Sequence, residues 1–102
     1  MKIEIKTKDL EITDFVQKLV DNKLKPKIDR LLKKLPADRK SALLRLTTRS
    51  RWGYKASLSM SLPGKVRIFG KEIHKNLESA IVNLREEVVR QIREYKEKRS
   101  SS

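Results

Sequence analysis

The sequence predicts an α+β domain in the order β-α-β-β-β-α, a four-stranded sheet with two helices packed on one face. Two stretches, 13–35 and 76–99, repeat apolar residues every three or four positions, the period of an amphipathic helix. Residues 2–6 and 41–74 instead alternate apolar with polar, the period of a half-buried strand. Each element has a single apolar face. One shared core therefore places both helices on the same side of the sheet and leaves the other sheet face open.

Ile3 and Ile5 point inward from the first strand, Lys2-Ile3-Glu4-Ile5-Lys6. Thr13 is suited to cap the first helix, and Asp14 places a negative charge in its first turn, where the helix dipole favours it. The expected stripe is Phe15, Leu19, Val20, Leu24, Ile28, Leu31, Leu32 and Leu35. Pro26 interrupts it: it cannot donate to the Asn22 carbonyl and its ring crowds that turn, so a kink or break is expected there. Leu35-Pro36-Ala37-Asp38 ends the helix.

In the next strand Ala42, Leu44 and Leu46 face one way, and Leu43, Arg45, Thr47 and Arg49 the other. Arg49-Ser50-Arg51-Trp52-Gly53 links it to a strand over 54–62. There Ala56, Leu58, Met60 and Leu62 oppose Lys55, Ser57, Ser59 and Ser61. Pro63-Gly64 turns the chain into a last strand over 65–74, in which Gly70 suggests a bulge. Asn76 caps the second helix, whose stripe is Leu77, Ala80, Ile81, Leu84, Val88, Ile92 and Tyr95. One domain, 1–98, and a disordered tail, 99–102, account for the chain.

The 102 residues carry 26 Lys and Arg against 13 Asp and Glu, a net charge of +13. An imbalance of this size opposes compaction unless a polyanion relieves it, which points to nucleic acid or an anionic membrane. From Arg39 to Lys75 there are ten bases and one acid, Glu72. The first helix has seven bases and three acids, and its Arg30 is one candidate contact. The polar strand parity gathers Arg45, Arg49, Lys55, Lys65 and Arg67 with Ser57, Ser59 and Ser61, residue types that bond phosphate oxygens. The serines alone fit a solvated sheet face equally well. Arg49 and Arg51 beside Trp52 suit phosphate contacts and stacking on an unpaired base, and Trp52 equally suits the edge of the core.

Other chemistry finds no footing. Without cysteine there are no disulfides, thiolate sites or Cys-based metal centres, and a single histidine, His74, cannot build a triad or a metal cluster. Glu86 and Glu87 are adjacent on a helix and point apart. The glycines, Gly53, Gly64 and Gly70, form no phosphate-binding loop. No enzyme, cofactor, metal or small-molecule substrate is expected. Apolar runs fall short of a membrane span or signal-peptide core, and lipid docking would take the stripes the core needs. A soluble, cytoplasmic protein is expected.

The stretch DLEITDFVQKLVDNKLKPKIDRLLKKLP resembles the opening of the ribosome hibernation-promoting factor and ribosome-associated inhibitor family. KNLESAIVNLREEVVRQIREYKEK is similar to that family's second helix, and the element order agrees over nearly the whole chain. The resemblance implies a stress or stationary-phase factor, monomeric off the ribosome, that binds ribosomal RNA of the small subunit. It would block the messenger-RNA and A- and P-site transfer-RNA positions sterically. Because the chain stops after the second helix, it resembles the short type. By position the resemblance carries RNA contacts onto Lys23 and Lys27 of the first helix and Arg90, Lys96 and Lys98 of the second. Val82 and Glu87 depart from the family's usual Asp and base, and RSRWGYK is more basic and aromatic than its usual loop. The second helix should accordingly contribute less and the strand and loop arginines more. Two alternatives stay open: a stand-alone module of the double-stranded-RNA-binding type, which would start with a helix and use three strands, and a protein-interaction domain whose charge serves solubility.

Overall fold

A computed structural model describes residues 2–35, 41–49, 51 and 53–100. Strand β1 (Lys2–Lys8) leads into helix α1, which has three segments: α-helical Asp14–Leu19, π-helical Val20–Leu24 and α-helical Lys25–Leu31. Strands β2 (Ser41–Arg49), β3 (Gly53–Leu62) and β4 (Val66–His74) follow, then helix α2 (Leu77–Ser100). The expected class and order are both observed. The sheet order is β1-β2-β3-β4. β1 runs parallel to β2 because α1 carries the chain back between them, whereas β2, β3 and β4 are joined directly and run antiparallel. Helix α2 takes in two residues beyond the expected domain limit of 98.

The core lies between the inner sheet face and the helices. Leu44, Leu46, Ala56, Leu58 and Ile68 of the strands join Val20, Leu24 and Ile28 of α1 and Ile81, Leu84, Val88 and Ile92 of α2 in one cluster, with Ile3 and Ile5 packed against it. No described charged residue is buried.

The first helix is set by its caps and by the spacing of its apolar residues. Thr13 Oγ1 accepts from the Val16 N–H at 3.3 Å. Val16, Val20, Leu24, Ile28 and Leu32 form the buried line. A four-residue repeat outruns 3.6 residues per turn, so in an unbroken α-helix each step would swing the next side chain about 40° off the line. The wider π stretch takes up the surplus, with the Lys25 N–H reaching back five residues to the Val20 carbonyl. Pro26 falls in the first turn of the next α segment, where its missing N–H costs least. The break expected at Pro26 thus takes the form of a π stretch just before it. Arg85 of α2 donates to the Lys23 carbonyl inside that stretch at 3.1 Å.

Three expectations are corrected. The first helix ends at Leu31, with Leu32 as its C-cap, rather than running to Leu35. Phe15 is 61% exposed, and its neighbour Val16 starts the buried line instead, because the four-residue steps that keep Val20, Leu24 and Ile28 inward lead back to position 16. Gly70 makes no bulge. It pairs in regular register with Leu58, and the missing side chain serves the close approach of α2 to the inner face of β4.

The second helix is capped by Asn76, whose Oδ1 accepts from the Ser79 N–H at 3.0 Å. At the β4 edge, the Gln91 amide accepts from the Phe69 N–H at 3.1 Å and donates to the Phe69 carbonyl at 2.6 Å. It occupies backbone groups that an added strand would otherwise seek.

Candidate nucleic-acid interface

The strand registers assemble the outer sheet face row by row. Lys6, Arg45, Ser57 and Lys71 form one row, and Lys8, Thr47, Lys55 and Ile73 the next. On the other side run Glu4, Leu43, Ser59 and Phe69, followed by Lys2 beside Ser41 and Ser61 beside Arg67. Glu4 is the one carboxylate on this face among the described residues. A shallow depression at the Arg67 end is lined by Lys2, Glu4, Leu43, Ser59, Ser61 and Arg67 among others. Arg45, Lys55, Arg67 and Lys71 have neither an ion pair nor a side-chain hydrogen bond among the described residues.

Cations on the helical side are differently placed. Lys27 Nζ lies 3.3 Å from Glu86, and Lys23 lies 4.0 Å from Glu78. Arg90 bridges Glu87 at 2.7 Å and Glu94 at 2.6 Å, and Lys96 donates to the Leu31 carbonyl at 3.0 Å. The contacts of Lys23 with Glu78, Lys27 with Glu86 and Leu31 with Lys96 link residues whose numbers rise together, so α1 and α2 run side by side in the same direction. The hydrogen bond from Arg85, with Lys27 adding to it, holds the Glu86 carboxyl below the usual glutamate range. Arg90 does the same to Glu87, and its own guanidinium is pushed further up by Glu87.

Of the residues expected to meet RNA, Arg45, Lys55 and Arg67 share the outer sheet face, with Arg45 and Arg67 exposed and Lys55 half-buried. Arg49 pairs with Gly53 at the end of β2. Arg51 is exposed in the link, and Trp52 lies outside the described residues. Lys23, Lys27 and Arg90 belong to the helical side and its ion pairs, Lys96 is bonded there to the Leu31 carbonyl, and Arg30 and Lys98 are exposed there. The structure therefore gathers the strand candidates into one surface and leaves the helix candidates on the opposite layer. Lys2, Lys6, Lys8, Phe69 and Lys71 were not expected in it. The signal for Phe69 and Lys71 was available, since both continue the parity of Arg67. The three lysines needed the parallel pairing of β1 with β2.

Fold and surface together define an α+β module with a helical layer on one face and an open, cationic sheet on the other. The family model described as sigma 54 modulation protein / S30EA ribosomal protein matches residues 3–100, and the chain belongs to that family. The family resemblance read from DLEITDF and KNLESAI is thereby borne out. The N-terminal domain of Thermus thermophilus Protein Y is similar in structure, with a TM-score of 0.74 and 24% identity over 93% of this chain and 99% of that one. A ribosomal subunit interface protein from Coxiella burnetii gives a TM-score of 0.69 and 15% identity over 94% of this chain and 98% of the other. No curated protein matches the sequence.

Proposed function

We propose that this protein binds the small ribosomal subunit through ribosomal RNA and silences translation by occupying the messenger- and transfer-RNA sites. Steric exclusion is the whole mechanism, and no bond is made or broken. The observation that carries the reading is the outer sheet face, where Arg45, Lys55, Arg67 and Lys71 have no carboxylate partner among the described residues. Unpaired cations are available to phosphates at no cost in broken ion pairs. Family membership supports the same partner. β1 pairs within the sheet, which weighs against the double-stranded-RNA-binding type, a fold that starts with a helix.

The protein then acts in the cytoplasm and is a monomer when off the ribosome. No described helix is long and apolar enough to cross a membrane. The test is a sucrose gradient of purified ribosomal subunits with added protein, paired with translation in vitro. Co-sedimentation with the small subunit at low salt and reduced protein synthesis are expected. Protein left at the top of the gradient, with translation unaffected, would refute the proposal.

A further inference from the structure

Phe69 is 56% exposed, on the outer face of β4 between the exposed cations Arg67 and Lys71. An aromatic ring left mostly in water on the edge strand of a charged face adds little to the core. Its surroundings suit a flat partner. Ser59 lies directly across from it on β3, with Ser61 and Ser57 to either side, so short side chains leave the space beside the ring open. Leu43, half-buried, continues the row beyond Ser59. The root of the ring is fixed, because the Gln91 amide holds both the N–H and the carbonyl of Phe69. With the backbone held, only the two side-chain torsions of Phe69 are left to be ordered when something stacks on the ring.

From this arrangement we infer that Phe69 is a stacking platform for one unpaired base of a single-stranded RNA segment crossing the outer sheet face. The inference rests on the reading that this face meets RNA, and it specifies the form of RNA. Charge complementarity selects the occupant: Arg67 and Lys71 flank the ring where the phosphates on either side of a stacked base would run. A second copy of the chain would oppose like charges across the same face. A duplex hides its base faces and offers the ring nothing, whereas an unpaired base presents a π-face whatever its identity. Base selectivity at Phe69 is therefore weak.

The test is fluorescence anisotropy with labelled uridine and adenosine 12-mers and a 12-base-pair RNA duplex. Phe69→Ala should weaken both 12-mers by roughly 5- to 150-fold, the range of one lost stacked base. Phe69→Leu should lose as much, because an apolar side chain without a π-face cannot replace the ring, and Phe69→Trp should retain binding. The slope of affinity against salt should stay unchanged in all three, since no phosphate contact is removed. Duplex affinity should not move. The ring is exposed, so circular dichroism and Tm of the variants should match the parent. Equal 12-mer affinity for the parent and Phe69→Ala overturns the inference, as does full binding by Phe69→Leu. Vesicles of phosphatidylserine that bind the parent but not Phe69→Ala, while the 12-mers bind both alike, would assign the ring to a lipid surface and overturn the inference as well. Should Phe69→Ala leave the 12-mers unaffected while the parent still co-sediments with the small subunit, only this inference falls. Should the 12-mers depend on Phe69 while the parent ignores the subunit, only the ribosome reading falls.

Discussion

At Gly70 the inner face of β4 passes beneath α2 with no side chain between them. An added Cβ would stand 2.9 Å from Leu84 Cδ1 and 3.2 Å from Val88 Cγ2, both in the fully buried core. Gly70→Ala should therefore destabilise the fold by about 1–3 kcal/mol, the usual cost of overpacking a well-filled core. Urea unfolding would show it as a lower midpoint at constant m-value. An unchanged midpoint would mean that α2 can lift away from the sheet without loss. A sequence reader sees a glycine in a strand and thinks of a bulge, because the packing reason lies in residues 14 and 18 positions further on. Phe15 misleads for a related reason. Phe15 and Val16 are adjacent apolar residues at a helix start, and only the four-residue line of Val16, Val20, Leu24 and Ile28 decides which turns inward. That line was readable, but it makes sense only with a π stretch. Phe69 was legible as a parity position and overlooked because aromatic residues in strands usually belong to cores.

Helices α1 and α2 are joined by charge as well as by apolar packing. The pairing of Arg90 with Glu87 and Glu94 follows the i,i+3 and i,i+4 spacing, so the sequence displays it. That of Lys27 with Glu86, 59 residues apart, appears only once the helices lie side by side. Glu86 and Glu87 titrate lower in the folded protein than when unfolded, so their contribution is complete above the ordinary glutamate pKa of about 4.3 and is lost as acid protonates them in the fold. Replacing both by glutamine should lower Tm slightly at pH 7, and the difference from the parent should shrink below pH 4. Scanning calorimetry across pH 3–7 measures it. A gap that widens in acid would contradict the assignment. The effect is small because both carboxylates are substantially exposed to solvent.

For the molecule as a whole, the net +13 divides into a helical layer where acids engage many of the bases and a sheet face with Glu4 as its lone described acid. Alanine at Arg45 and Arg67 together should reduce the salt slope of RNA binding by about 1.4–1.8, from the per-phosphate counterion release of single strands and duplexes. Alanine at Lys23 and Lys27 should change it much less, because those lysines lie beside Glu78 and Glu86. Affinity measured from 50 to 200 mM salt separates the two surfaces, and a larger change in the lysine variant would move the interface to the helices. Alternation made the strands and their outward parity plain in the sequence, since a period of two admits one assignment of faces. The position of β1 at the sheet edge, and with it the lysines of that strand, depended on a long-range pairing that no local pattern encodes. The π stretch of α1 has a consequence for how this chain can vary. It works as an expansion joint: one residue lost between Val20 and Leu24 would let the turn tighten to ordinary pitch, while Val16 and Leu19 before it and Ile28 and Leu32 after it kept their neighbours. Helices differing by one residue in length can thus carry the same core, and the joint marks where such a difference is absorbed.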